Sequence, residues 1–153
     1  MAELKSRPLF RITMKLPPAL DLGDTPHGHR RIFTVSGGSF QGDRLRGKVL
    51  PEASSDLLLV RADDSCRQDV RLILETDDGA TILMTYRGIR HATPEVSARL
   101  ARGEAVAHSD YYLRTAPFFE TASPTYAWLN RIVSIGVGER QAAGVSYEVF
   151  EIM

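Results

Sequence analysis

Residues 69–88, DVRLILETDDGATILMTYRG, constrain the fold more than any other stretch of this chain. Asp69, Arg71, Ile73 and Glu75 alternate with Val70, Leu72, Leu74 and Thr76. A tight turn at Asp78-Gly79 follows. Alternation then resumes, with Thr81, Leu83, Thr85 and Arg87 against Ile82, Met84 and Tyr86. Period-two alternation on both sides of an Asp-Gly turn predicts an antiparallel β-hairpin with one buried face.

The same period recurs along the chain. Phe10, Ile12, Met14 and Leu16 interleave with Leu9, Arg11, Thr13 and Lys15, and Pro17-Pro18 ends that strand. DLGDTPHGH reads as a loop by its Gly, Pro and Asp content. RRIFTVSGG, SDLLLVRA, SDYYLRTAPFFET, RIVSIGVGER and GVSYEVFEIM read as further strands, with the third expected to stop near Pro117. Glycines in SGGSFQGDRLRG mark the bulges and bends that let a sheet curl. One helix is well signalled at residues 94–102, with Thr93 as N-cap, Pro94 in the first turn and Gly103 beyond the end. SPTYAWLN suggests one helical turn more. Closure removes exposed edges, so the expected fold is an all-β, single-domain, mainly antiparallel β-barrel. It should span residues 1–153, with about nine or ten strands and one or two short helices.

Composition narrows the function classes. Lys+Arg and Asp+Glu number 19 each, and the net charge of zero argues against a nucleic-acid partner. Cys66 is the single cysteine, which excludes an internal disulfide and a cysteine-based zinc site. His27 and His29 flank one glycine, but no carboxylate spacing completes a metal site; neither metal nor cofactor is expected. No phosphate-loop or GxSxG pattern is present. The start, MAELKSRPLF, lacks the apolar core of a signal peptide, and no run is long enough for a membrane span. The expectation is a cytoplasmic protein with no membrane partner.

The hairpin motif DVR…ETDDGA, with FFETASPTYAWLNRIVSIGVG, HRRIFTVSGGSFQGDRLRGKVLP and a closing VSYEV, resembles the family known as domain of unknown function 3237, or uncharacterised protein family 0311. The resemblance runs over nearly the whole chain. It implies a single-domain β-barrel and a homodimer, and no generally assigned activity. It also implies an Asp-aromatic pair after the third strand. This chain keeps Asp56 but carries Leu57 where the aromatic belongs.

Several side chains are candidates for chemistry. Asp69, Arg71 and Glu75 share one strand face. Inside the barrel, Arg71 would hold an oxyanion and Asp69 or Glu75 would handle a proton; outside, the same face simply meets water. Arg114 with Tyr112 offers a second anion-binding pair or an ordinary surface contact, and Tyr86 lies on the apolar face of its strand. Glu120, beside Phe119, is a candidate acid or base, or a helix-start acceptor. Trp128 either covers a ligand or plugs a barrel end. The ligand expected is a small, partly apolar molecule bearing an anionic oxygen or a carbonyl. Two functions fit: a cofactor-independent isomerase or lyase acting next to a carbonyl, or a non-catalytic binding or carrier protein. A buried carboxylate near an arginine would separate them.

Overall fold

The computed structural model describes residues 1–153. Ten strands form one antiparallel sheet: β1 (Ser6–Lys15), β2 (Leu20–Thr25), β3 (Gly28–Thr34), β4 (Gly37–Gln41), β5 (Arg46–Val60), β6 (Cys66–Thr76), β7 (Thr81–His91), β8 (Tyr112–Glu120), β9 (Val133–Gln141) and β10 (Gly144–Ile152). Their order is β2-β3-β5-β4-β1-β10-β9-β8-β7-β6, and a further ladder joins β5 to β6. That ladder closes β5, β4, β1, β10, β9, β8, β7 and β6 into a ring. β2 and β3 stand outside it, paired on the C-terminal half of β5. The predicted hairpin is β6–β7, registered from Cys66↔Arg90 to Glu75↔Thr81.

Three local expectations are corrected. DLGDTPHGH is not a loop: Leu20–Thr25 pairs with β3, because a bulge at Asp21/Gly23 absorbs the glycine. Gly23 takes φ +83° there, and its N–H donates to Asp21 Oδ1 at 2.8 Å. SDLLLVRA is not a separate strand but the second half of the long β5. β8 does not stop at Pro117. The Ser134 hydroxyl donates to the Pro117 carbonyl at 2.7 Å, so both polar positions of Pro117 point toward β9. The β8–β9 ladder registers only Arg114↔Val137 and Thr115↔Gly136, so the missing proline N–H costs no ladder bond.

The core fills the barrel. Ile12, Leu72, Leu74 and Ile82 have no accessible surface, and Phe10 packs beside them, tilted against Phe40 and edge-on to Phe119. Helix α1 (Pro94–Ala101) is capped by Thr93, whose side chain accepts from the Val96 N–H. It lays Val96 and Leu100 against the core at one barrel end. The other end is closed by a 3-10 turn, Ala127–Arg131. Trp128 packs against the core there, Arg44 stacks on its ring at 3.5 Å, and the Tyr126 hydroxyl donates to Asp78 in the β6–β7 turn at 2.9 Å. No helix is long and apolar enough to cross a membrane.

One irregularity decides which side chains enter the barrel. β5 advances from Leu50 to Ser55 while β6 advances only from Ile73 to Arg71. Ala53 takes φ +60° inside this bulge. Ser54, buried, holds the bulge together: its hydroxyl donates to the Leu50 carbonyl at 2.6 Å and accepts the Ile73 N–H at 3.0 Å. Odd positions of β5 face inward before the bulge, as Val49 does, and even positions after it, as Ser54 and Leu58 do. Ser54→Ala should therefore cost about 1–3 kcal/mol, because the Ile73 N–H loses its acceptor inside the sheet. Chemical denaturation measures this, and a change within 0–0.5 kcal/mol of the starting protein would mean that the bulge does not rest on this hydroxyl.

Candidate functional site

The barrel end under α1 is not filled. A cavity of about 1010 Å³ opens there, bordered by the β9–β10 turn, α1 and the inner face of β3. Its wall is apolar at Leu58, Leu113, Val145 and Leu100, and polar where several strands run out of core residues. β6 contributes Cys66 and Gln68, β7 Arg90, β9 Arg140, β10 Tyr147 and β5 Asp56. β3 adds Arg31, stacked on Phe33 at 5.5 Å, and Lys15 stands at the rim.

Asp56 is the unusual group. Burial holds its carboxyl up at about 7, against an ordinary 3.8. The Asp69 N–H donates to Asp56 Oδ1 at 3.2 Å and pulls the other way, but less. No arginine or lysine forms an ion pair with it. Neither Arg90 nor Arg140 pairs with a carboxylate, although ten ion pairs occur elsewhere in the protein. Arg90 donates to Cys66 Sγ at 3.2 Å. Arg140 is lowered from the ordinary guanidinium range, first by burial and then by repulsion from Arg90. The Nε–H of Arg140 and the Oε1 of Gln68 are buried without a hydrogen-bond partner. Tyr147 and Tyr86 meet edge to face, with centroids 5.6 Å apart. Burial pushes both phenols up, so they stay neutral donors. The result is a protonatable carboxyl, two unpaired arginines and two phenols around one partly apolar chamber.

The sequence-predicted residues fare unequally. Tyr86 points inward and lies against Tyr147. Asp69, Arg71 and Glu75 face out, because Gln68, Val70, Leu72 and Leu74 occupy the inner face of the same strand. Glu75 pairs with Lys48 at 3.3 Å on that outer face, and Arg71 is exposed. Tyr112 and Arg114 also face out. The Arg114 guanidinium lies over the Tyr112 ring at 5.1 Å, and His91 stacks on the same ring at 5.0 Å. Glu120 is exposed at the end of β8; Asn130, not Glu120, ties the following turn, through both backbone groups of Thr121. Trp128 sits at the barrel end opposite the cavity, as a plug. Leu57 lies on the face away from Asp56, so the missing aromatic does not shape the chamber wall.

Asp56, Gln68, Arg90, Arg140 and Tyr147 were missed. A signal existed for four of them. Each lies an even number of residues from core positions of its own strand: Gln68 from Val70, Arg90 from Met84, Arg140 from Ser134, Tyr147 from Val145. Strand parity gave none for Asp56, since the bulge reverses it on β5; only the resemblance, through the Asp-aromatic pair, had drawn attention to that residue.

Fold and chamber define a closed antiparallel β-barrel with a polar-floored pocket at one end. The chain belongs to the family described as "Protein of unknown function (DUF3237)", whose model matches residues 4–152. A UPF0311 protein of Rhodopseudomonas palustris is 33% identical over 150 residues, covering 98% of this chain and 97% of that one. A crystal structure of a conserved protein of unknown function from that organism superposes with TM-score 0.95 at 32% identity, over 100% of both chains. A β-barrel-like protein of Acinetobacter baumannii matches with TM-score 0.86 at 34% identity, over 100% of this chain and 98% of that one. A hydroalkoxylation enzyme of Penicillium herquei is 27% identical over 128 residues, 84% of this chain and 70% of that one.

The raised carboxyl has a thermodynamic signature. The unfolded chain releases the Asp56 proton near 3.8 and the folded one near 7. Between those values the folded state binds more protons, so this group's contribution to stability falls as pH rises and stays lost above pH 7. Asp56→Asn cannot ionise. It should be more stable than the starting protein at pH 8 by roughly 2–4 kcal/mol, with the gain vanishing toward pH 4. Denaturation curves at several pH values measure it; a difference independent of pH would contradict the assignment.

Proposed function

We propose that this protein is a cofactor-independent acid–base enzyme, an isomerase or lyase acting next to a carbonyl of a small, partly apolar molecule. One observation carries the reading: a carboxyl held up at about 7, unpaired, shares a chamber with two arginines that lack carboxylate partners. A general base works best with its pKa near the working pH. An oxyanion partner works best when fixed in place before the reaction.

The step balances without any redox partner. Asp56, ionised, takes a proton from the carbon next to the carbonyl. The C–H electron pair becomes the C=C bond of an enolate, and the carbonyl π pair moves to oxygen, where Arg90 and Arg140 stabilise it. Asp56, now protonated, returns its proton to another carbon in an isomerisation. In a lyase the enolate expels an oxygen leaving group from the β-carbon, and Asp56 protonates that oxygen as it departs. Addition of an alcohol across the double bond is the reverse. The Penicillium herquei relative supports this class, since hydroalkoxylation adds an O–H across a double bond by relocating one proton. A carrier would need neither a titrating carboxyl nor paired cations around its ligand.

Solvent exchange tests this. Aryl ketones with an exchangeable α-hydrogen, incubated with the protein in D2O, should gain deuterium faster than in buffer. The rate should climb with pH to a plateau above about 7, where Asp56 is ionised. Asp56→Asn should lose about 10²–10⁴-fold of it. Exchange undiminished in Asp56→Asn would remove Asp56 from the mechanism. Saturable ketone binding without any accelerated exchange would return the protein to the carrier class.

A further inference from the structure

We infer that the molecule taken by this chamber carries a hydrogen-bond donor, a hydroxyl, beside its anionic or carbonyl oxygen, and that Gln68 is the residue that reads it. The inference rests on the proposed function for the use of the chamber, and on a separate observation for the hydroxyl.

That observation is the pair of orphaned polar atoms. Gln68 is 5% exposed, faces the cavity from β6, and its Oε1 accepts from nothing in the protein. Arg140 faces the same cavity from β9, and its Nε–H donates to nothing. Buried acceptors and donors are almost always paired in folded proteins, so two exceptions at one cavity wall ask for a ligand. They ask for opposite things. Arg140 Nε needs an acceptor, which a carboxylate, enolate or carbonyl oxygen supplies. Gln68 Oε1 needs a donor, which those groups lack.

No group of the protein donates to Gln68 Oε1 in this structure. Across the β6–β7 ladder Gln68 faces Gly88, which has no side chain. A Cβ there would lie 2.9 Å from Gln68 Oε1 and 2.6 Å from Thr115 Cγ2, so the glycine leaves the space in which the amide lies. On its own strand the inward neighbours are Cys66, already engaged by Arg90, and Val70. Charge points the same way. Lys15, Arg31, Arg90 and Arg140 line the chamber against Asp56 and Asp64, so one end of the ligand should be anionic. The class is therefore a hydroxylated organic acid, or an enolisable carbonyl compound bearing a hydroxyl, on an apolar frame. A site built around a hydroxyl discriminates strongly against the analogue without it, because that analogue leaves the acceptor unpaired.

Calorimetric titration of the intact protein at pH 6 with benzoate and with 2-, 3- and 4-hydroxybenzoate tests this. At least one hydroxybenzoate should bind about tenfold or more tightly than benzoate. Gln68→Leu, close in size but without the acceptor, should erase that preference, hold benzoate affinity within about threefold, and keep or raise the melting temperature. A preference that survives in Gln68→Leu, equal binding of all four probes to the native protein, or no binding of any of them overturns the inference. Arg140→Met separates it from the reading beneath. If that variant weakens all four probes while benzoate and hydroxybenzoates bind alike, only the hydroxyl inference falls. If Arg140→Met changes nothing, the anion-holding role given to the arginines falls with it.

Discussion

The structure depends on the ladder between β5 and β6. It closes the barrel, and the bulge within it lets one strand serve two partners: β4 along Arg46–Val49 and β3 along Ser55–Val60. Without the bulge, Ser55 and Leu57 would face the lumen and Asp56 would face out. With it, Asp56 enters a space walled by Leu58, Leu113 and Val145, where its charge has little solvent and no ion-pair partner. The raised proton affinity of the carboxyl follows from that placement. One strained stretch, stitched by the Ser54 hydroxyl, thus links the closure of the barrel to the chemistry at its open end.

The two ends of the barrel divide the work. At the β6–β7 end, Trp128, Tyr126, Asp78 and Arg44 seal the core with an aromatic ring, a hydrogen bond and a stacked cation. Arg44 also reaches Glu151 at 3.3 Å. At the other end inward positions turn polar, and the arginines have no counter-ions. Crowded cations cost stability in the empty state, which an anion offsets; such local cost is common where residues are placed for binding rather than for folding.

The architecture was largely legible in the sequence and the site was not. Alternation, the Asp78-Gly79 turn and the Thr93-Pro94 helix start are local signals, and local signals survive folding. The strand faces were harder. A run such as Asp69, Arg71, Glu75 beside Val70, Leu72, Leu74 fits either a solvated outer face or a polar lumen by period alone, and the fold sends the charges outward. Gln68, Arg90 and Arg140 were recoverable by continuing the apolar parity of their own strands to the end. Asp56 was not: Pro51 hints at an interruption of β5, but nothing local shows that the extra residues, with Ala53 at positive φ, reverse which side chains face inward. Pro117 misled in the other direction: it stays within β8 because the ladder on that side is short.

The claim on which the account turns is that the Asp56 carboxyl is held protonated near neutral pH inside the chamber. A ¹³C NMR titration of the side-chain carboxyl carbons measures this directly, with the Asp56 resonance assigned by its loss in Asp56→Asn. The account predicts a single carboxyl with a midpoint at about 7, which shifts when an anionic ligand occupies the chamber. A midpoint at the ordinary 3.8 would mean that the carboxyl is solvated and that this barrel end is not an acid–base site.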